Sequence, residues 1–212
     1  MPEPLDLVEA RVLGALMEKE ATTPEYYPLS MNALVNACNQ KSNRYPVVNY
    51  DEDTVSDAID GLRAKNLAVV IVGNGRVKKY GQRISEVLNL GRRESAVLCT
   101  LLLRGPQTLG EVKDRSERMF SFADLEEADA TLERLAEWPS GPLARKLPRQ
   151  PGQKEARYAH LLAGEPAVEP ESEAVPPPVP GRLALLEQQI ESLKAELGEL
   201  KRRFDEFDAQ FR

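Results

Sequence analysis

The side chains that most often act as catalysts or metal ligands are scarce in this chain. There is one histidine, His160, and there are two cysteines, Cys38 and Cys99, and none of the three lies near another. A zinc site or a nucleophile–base pair needs partners at suitable spacing, and no CxxC or HxxxH pattern occurs. The GNGR segment at 73–76 fits a hairpin turn and matches no phosphate-binding glycine motif. We therefore predict no catalytic residue, no metal and no cofactor, and a structural or solvent-facing His160.

Basic side chains that could contact phosphate groups are concentrated in two segments that are predicted to form β-hairpins. These segments are residues 73–83, which hold no acid, and residues 143–157, in which Glu155 is the acid. With two residues from an upstream stretch, the candidate nucleic-acid contacts are Lys41, Arg44, Arg76, Lys78, Lys79, Arg83, Arg145, Lys146, Arg149, Lys154 and Arg157. The alternative is that these charges keep exposed strand edges from pairing with other chains.

The upstream stretch is ACNQKSNRYPVVNYDED, residues 37–53, and it is polar and poor in helix formers. Lys41 and Arg44 give it local positive charge beside several amide side chains, which suits a contact with a phosphate or a protein partner. In the alternative interpretation the Asn and Ser side chains bond their own backbone and stabilise a long turn. Cys38, at its start, is predicted to be half buried, whereas Cys99 lies in an apolar helical run and is predicted to be in the core.

The elements that would position these residues follow one order twice. Apolar residues at helical spacing predict three helices, and the run LAVVIV, the turn GNG and the segment RVKKYGQRI predict a hairpin. Ser30 is the predicted N-cap of the second helix, and Asp51 or Asp53 that of the third. Helix, helix, helix, hairpin is the order of a winged helix-turn-helix domain.

An internal repeat supports this interpretation. EARVLGAL (9–16) matches ESAVLCTL (94–101) at an offset of 85, and the third helices align at an offset of 73. Thr108 and Glu111 have capping-box spacing before the second helix of the second copy. The difference between the two offsets predicts about a dozen extra residues in the first copy, within the 37–53 stretch. We predict winged-helix domains at 1–90 and 91–163.

The C-terminal part changes character. Residues 164–181 hold six prolines and four glutamates and predict an extended linker. Residues 182–212 carry an a/d seam that predicts a self-associating coiled coil rather than a helix packed on the body. The predicted seam residues are Leu183, Leu186, Ile190, Leu193, Leu197, Leu200, Phe204, Phe207 and Phe211.

Composition limits the function classes. The chain has 212 residues and a net charge of −6, so any attraction to nucleic acid must be local. The predicted third helices oppose such contact, because residues 51–65 carry five acids and two bases, and residues 124–137 carry six acids and one base. No apolar run approaches the roughly 20 residues of a membrane helix. We predict a cytoplasmic protein of mostly α class with small β wings.

Several long motifs resemble the YceH-like family of bacterial proteins. They are EARVLGALMEKEATTPEYYPLSMNALVNACNQKSNR, GNGRVKKYGQR, TLLLRGPQTLGEVKDRSERM and EARYAHLL, in that order, within about residues 5–163. The resemblance implies a tandem winged-helix fold and a bacterial cytosolic setting, and it implies no established biochemical role. The linker and the heptad tail lie outside the resemblance, so the prediction of self-association comes from this sequence itself.

Two functions fit these observations. In the first, the protein is a non-enzymatic, DNA-associated or regulatory protein that binds double-stranded DNA through its wings and the loop around Lys41 and Arg44. In the second, it is a protein–protein adaptor whose acidic third helices face a partner. In both, the C-terminal helix joins copies of the chain into a homo-oligomer. A continuous positive band across both wings favours the first function, and separate basic spots favour the second.

Overall fold

The computed structural model describes residues 3–72, 77–149 and 152–164, together with Lys194, Gly198 and Arg202. Met1–Val168 form one compact unit and Glu169–Arg212 a second. The three described residues of the second unit are helical. All nine predicted seam residues, Arg76 and residues 165–181 lie outside the described residues. Within the described ranges no helix is long and apolar enough to cross a membrane.

Among its described residues, the first half of the compact unit contains three α-helices, one short 3-10 helix (Pro24–Tyr26) and three strands. The helices are α1 (Leu7–Thr22), α2 (Met31–Cys38) and α3 (Glu52–Ala64), and the strands are β1 (Leu29–Ser30), β2 (Ala68–Val72) and β3 (Lys78–Gln82). Asp6 begins α1 in a capping box with Glu9, and Ser30 and Asp51 cap α2 and α3. The predicted cap Ser30 is confirmed, and of the two candidates for α3 the cap is Asp51.

The second half repeats this order after a short helix. It contains α4 (Ile84–Val87), α5 (Arg92–Arg104), α6 (Leu109–Ser116), α7 (Leu125–Ala136), β4 (Gln107–Thr108), β5 (Ala144–Lys146) and β6 (Arg157–His160). Thr108 and Glu111 form the predicted capping box of α6, and Asp124 caps α7. Helix α4 and the two-residue strands β1 and β4 were not predicted, because they are too short to show a hydrophobic period.

Two antiparallel three-stranded sheets have the same topology, with strand orders β1-β3-β2 and β4-β6-β5. In the first sheet Tyr80 of β3 stands between Leu29 and Val70. In the second sheet Tyr158 of β6 stands between Gln107 and Lys146. Both tyrosines are buried, at 8% and 7% exposure. The shared register means that the two sheets place corresponding side chains on the core.

Helices α1 and α5 join the halves through a shared core. The thiol of Cys99 donates to the carbonyl oxygen of Gly14 at 3.3 Å, and these residues correspond under the 85-residue offset. A Cβ atom on Gly14 would lie 2.9 Å from Leu103 Cδ2, so glycine is what allows this close approach. Cys99 is buried as predicted, whereas Cys38 is wholly buried and not half buried, because α2 turns it onto the core.

Candidate functional site

The connection between α2 and α3, residues 39–50, is the polar stretch singled out in the sequence. The side chain of Asn39 bonds the two ends of this connection together. Its Nδ2 donates to the carbonyl oxygen of Tyr50 at 2.7 Å, and its Oδ1 accepts from the Tyr50 N–H at 2.8 Å. An amide side chain therefore replaces a backbone bridge, as the structural interpretation of this stretch anticipated.

Arg44 requires a correction to the predicted set of nucleic-acid contacts. Its side chain is 0% exposed and forms a two-armed ion pair with Glu18 of α1, at 3.1 and 2.7 Å. The guanidinium also donates to the carbonyl oxygen of Ala37. Burial alone would raise the pKa of Glu18, but the hydrogen bonds and charge of Arg44 lower it. All the accessible hydrogen-bonding capacity of Arg44 is used inside the protein, so it cannot reach a phosphate on a ligand.

A second buried arginine fixes the other side of the connection. Arg11 of α1 donates to the carbonyl oxygens of Cys38 and Pro46, at 3.2 and 2.7 Å. The N–H of Tyr45 donates to the carbonyl oxygen of Leu103 at the end of α5, at 2.9 Å. The connection is therefore bonded to both halves of the unit. Its outer face presents Lys41 together with Tyr45 and Val47, whose exposures are 73% and 56%.

The first hairpin, β2–β3, presents both charge and apolar surface. Lys78 and Lys79 are exposed and form no ion pair within the described residues. Arg83, at the end of β3, is instead engaged, with Glu86 at 3.1 Å and with Asn66 Oδ1 at 2.6 Å. Three aliphatic side chains at the end of this hairpin are exposed: Ile71, Val72 and Val77, at 44%, 71% and 63%.

The second hairpin, β5–β6, keeps part of its basic charge within the protein. Arg157 donates to Glu111 of α6 at 2.9 Å, and the ammonium of Lys146 lies 5.4 Å from the centre of the Tyr158 ring. Arg145, Arg149 and Lys154 are exposed. The eleven predicted contact residues therefore differ in exposure. Those that are exposed among the described residues are Lys41, Lys78, Lys79, Arg145, Lys146, Arg149 and Lys154.

Both third helices expose acidic side chains. On α3 the exposed acids include Asp53, Asp57 and Asp60, and the basic neighbour Arg63 is held by Asp60 at 2.7 Å. On α7 the exposed acids include Glu126 and Glu133. The nearby guanidinium of Arg134 pairs with the buried carboxylate of Glu94 at 3.0 Å, which removes it from the acidic face. A negative surface of this kind repels a phosphate backbone and attracts a basic partner.

The reactive side chains are poorly placed for catalysis. Burial raises the pKa of Cys38 to about 12 and also raises that of Cys99, so both thiols stay protonated. Burial lowers the pKa of His160 to about 4, and its Nδ1 has no hydrogen-bond partner among the described residues. No group of three or more His, Cys, Asp or Glu side chains that could hold a metal occurs in the described ranges.

Sequence reasoning missed one cluster at the junction of the halves. Arg104 of α5, Arg115 of α6 and Arg118 in the turn after α6 line a small cavity together with Asn43 and Glu18. The signal was present in the motif TLLLRGPQTLGEVKDRSERM, where all three arginines occur. They are separated along the chain, however, so only the packing of α5 against α6 brings them together.

Comparison with known proteins identifies related chains. A family profile described as "Protein of unknown function, DUF480" matches residues 5–153. A UPF0502 protein of Solibacter usitatus is 57% identical over 207 residues, which cover 98% of each chain. UPF0502 proteins of Pelobacter propionicus and Geobacter sulfurreducens are 53% and 50% identical, again over 98% of each chain. The similarity thus extends into the C-terminal tail, so the prediction that the linker and the heptad tail lie outside the shared region is wrong.

Proposed function

The chain belongs to the DUF480 (UPF0502) family, and we propose that it is a non-enzymatic module that binds another protein. The observation that carries this proposal is the exposed acidic face of α3, formed by Asp53, Asp57 and Asp60. In a winged helix that reads DNA, the third helix enters the major groove, where acids would be repelled by phosphate. The same face is suited to a partner with a basic surface.

The proposed architecture is a tandem winged helix, with domains at 1–90 and 91–163. It is supported by the repeated order of three helices and a hairpin, and by the matched registers of Tyr80 and Tyr158. The exposed aliphatic end of the first hairpin, at Val72 and Val77, adds an apolar contact of the kind found in the centre of protein interfaces. The acidic third helices and the apolar end of the first hairpin together favour a protein partner over a nucleic acid.

The absence of an enzymatic role is part of the proposal and rests on the chemistry of the side chains. The thiols of Cys38 and Cys99 are held in their protonated, buried form. His160 lies in a strand, and burial disfavours its charged form. A nucleophile needs an activated state and a base within reach, and these groups offer neither.

Double-stranded DNA is the second candidate partner, and one observation favours it. Lys78 and Lys79 are adjacent, exposed and without an ion pair in the part of the chain that the structure describes. Arg76, two residues before Lys78 in the sequence, would add to this charge. Two to three lysine or arginine contacts supply weak, salt-dependent binding rather than sequence recognition.

Capture of partners from native cytosol tests the two candidates against each other. Full-length protein is compared with Asp53→Asn/Asp57→Asn and with Lys78→Gln/Lys79→Gln, each with and without nuclease, by quantitative mass spectrometry. We expect a protein that survives nuclease and is lost with the aspartate variant, followed by direct binding of that purified protein. The control is Glu3→Gln/Glu25→Gln, which removes the same charge at exposed positions outside α3.

Equal capture by the aspartate variant and the wild-type chain contradicts an α3 contact. Loss of all partners on nuclease treatment, together with loss in the lysine variant, contradicts the adaptor and supports DNA. In that case a short duplex would bind purified protein with an affinity that falls as salt rises, and Lys78→Gln/Lys79→Gln would flatten that dependence by about two phosphate contacts.

Self-association through residues 182–212 belongs to the same proposal, with residues 164–181 as its linker. The 3,4 spacing from Leu183 to Phe211 supports a parallel coiled coil that would present two copies of the acidic surface. Light scattering on the full chain and on a chain ending at Gly164 tests it. The expected result is an oligomer for the first and a monomer for the second, and a monomer for both at tens of micromolar contradicts it.

A further inference from the structure

A small cavity at the junction of the two halves is lined mainly by polar and cationic side chains. Its volume is about 20 Å³, and its walls come from α1, the 39–50 connection, α5 and α6. The basic residues on the wall are Arg104, Arg115 and Arg118, and the polar residues include Asn43 and Thr100. Three guanidinium groups around one small space repel each other unless negative charge is present between them.

The carboxylates near the cavity are already engaged, and one of them, Glu111, pairs with the cavity's own Arg115. Glu18 is on the wall, but both of its oxygens accept from the buried guanidinium of Arg44. Glu111 is shared between Arg115 at 3.0 Å and Arg157 at 2.9 Å. Glu117, next to Arg118 in sequence, accepts from the hydroxyl of Ser121 at 2.7 Å. The local balance therefore leaves positive charge in excess at the cavity.

The arginines themselves keep capacity for a ligand. Arg104 donates to Asn43 Oδ1, a neutral amide oxygen. Arg115 donates to Gln107 Oε1 and also pairs with Glu111, so it keeps only part of its hydrogen-bonding capacity for a ligand. Arg118 is exposed and forms no hydrogen bond or ion pair with any described residue. Burial lowers the pKa of Arg104, and the charges of Arg115 and Arg44 lower it further, while the smaller opposing effects of Glu18 and Glu111 do not reverse the direction.

We propose that this cavity is a binding site for a phosphate group, held by Arg104, Arg115 and Arg118 at the junction of the two halves. Guanidinium groups bind phosphate oxygens in pairs, and three of them can hold one tetrahedral anion. A cavity of about 20 Å³ admits one phosphate oxygen but no base or sugar ring, so the other phosphate oxygens and any group attached to them would lie outside it, on the side open to solvent. The ligand is inorganic phosphate or the terminal phosphate of a small monoester, and its binding would tie α1 and the connection to α5 and α6.

Thermal unfolding and calorimetry of the full-length protein test the site. Melting temperature is measured in sodium phosphate and in sodium chloride at equal ionic strength, and phosphate affinity is measured by titration calorimetry. Because a ligand that binds only the native state stabilises it, phosphate should raise the melting temperature above the chloride value. Arg118→Gln should weaken phosphate binding by about tenfold or more, the effect of losing one charge-assisted hydrogen bond.

Arg118→Gln is suitable because it removes no bond within the described protein, so its fold should be unchanged. The control is Arg63→Gln, an exposed arginine on α3 that pairs with Asp60 and should leave phosphate affinity unchanged. Equal melting temperatures in the two salts, or equal phosphate affinity of Arg118→Gln and wild type, would overturn the proposal. If Arg63→Gln lost as much phosphate affinity as Arg118→Gln, the effect would come from the general loss of positive charge, and the proposal would also be overturned.

Two further titrations identify the source of the phosphate. Adenosine 5′-monophosphate that binds at least as tightly as inorganic phosphate, with the same sensitivity to Arg118→Gln, indicates a monoester ligand. Weaker binding of the nucleotide indicates free phosphate. A short DNA duplex whose binding is abolished by Arg118→Gln, with no binding of either small ligand, overturns the proposed small-ligand site. None of these outcomes depends on the acidic face of α3.

Discussion

In the first half of the compact unit, the connection between the second and third helices holds its shape through buried charge. Arg11, Glu18 and Arg44 are all at most 5% exposed and tie residues 37–46 to α1. In the second half the corresponding connection, residues 117–124, is shorter and is filled by Phe122, which is 2% exposed and packs edge-to-face on Phe120 at 4.8 Å. Under the 85-residue offset, Arg11 and Glu18 correspond to Ala96 and Leu103.

This difference teaches what a longer connection requires. Extra residues bring extra carbonyl groups, and a buried carbonyl without a donor is costly. Within the connection, Arg11 donates to the carbonyl of Pro46 and Arg44 to that of Asn43. The same two arginines also bond the last carbonyls of α2, at Cys38 and Ala37, and Glu18 neutralises the Arg44 guanidinium. A short connection has fewer such carbonyls, so an aromatic side chain is enough. The buried arginines of the first half therefore satisfy buried backbone carbonyl groups.

The largest expected effect is on the buried ion pair. Arg44→Met should lower the free energy of unfolding by about 3–5 kcal/mol, because it leaves Glu18 charged and buried without its partner. Denaturant unfolding measures the loss. Arg93→Met in the second half is the matched control: Arg93 is 49% exposed and pairs with Glu127, so its loss should cost at most about 1 kcal/mol. Equal costs for the two variants would contradict the contrast between the halves.

The second-largest expected effect on stability concerns the contact between α1 and α5. Gly14→Ala places a Cβ atom 2.9 Å from Leu103 Cδ2 and 3.1 Å from Leu102 Cβ, and the crowding should cost about 1–3 kcal/mol. Gly110→Ala in α6 is the control, since a Cβ there meets nothing within 4 Å and alanine favours helix. In thermal unfolding, Gly14→Ala should lower the melting temperature and Gly110→Ala should raise it. A stabilised Gly14→Ala protein would show that α1 and α5 can separate without cost.

A third test uses corresponding positions of the two hairpins. His160 aligns with Gln82, which donates to Glu20 and to Ser85, whereas the buried Nδ1 of His160 has no partner among the described residues. The pKa of His160 is lowered to about 4, below its ordinary 6.5, so the unfolded chain binds the proton first as pH falls. This group's contribution is therefore present near pH 7 and is lost as pH falls from about 6.5 towards 4.

Between pH 7 and pH 5 the loss should be about 2 kcal/mol. His160→Gln, which installs the residue of the first half, should remove this dependence when unfolding is measured at both pH values. An unchanged slope in the variant would assign the pH effect to the carboxylates instead. Their ordinary pKa values lie below this window, which is why the range from pH 7 to pH 5 isolates the histidine.

The smallest expected effect tests what the halves share. Asp51 and Asp124 correspond under the 73-residue offset, and each accepts a hydrogen bond at the start of the third helix, from the N–H of Thr54 and of Glu127. Asp51→Ala and Asp124→Ala should each cost about 1 kcal/mol in thermal or denaturant unfolding. Costs that differ by more than about 1 kcal/mol would mean that the two third helices do not begin in equivalent environments.

The predictions that the structure confirms concern local signals. The N-cap Ser30, the capping box of Thr108 and Glu111, and the buried apolar faces of α3 and α7 were all predicted from spacing. The predictions that needed correction concern buried residues such as Arg44 and Cys38, and the position of the extra residues in the first half. These extra residues do not all lie within residues 37–53, because the offset between the halves falls from 85 to 78 before α2 and from 78 to 73 between α2 and α3. The partner that buries Arg44 is Glu18, 26 residues earlier, and no local pattern distinguishes such an arginine from an exposed one.

The sequence by itself determined the repeated order of three helices and a hairpin, the caps and the acidity of the third helices. These properties depend on hydrogen bonds and periodicities that span only a few residues, so they are fixed before any long-range contact forms. Only the tertiary structure decided which cations are buried, which are engaged and which face solvent. It buried Arg44 against Glu18 and gathered Arg104, Arg115 and Arg118 around one cavity. The fate of a charge depends on the desolvation and the partners that packing imposes on it, and distant parts of the chain supply both.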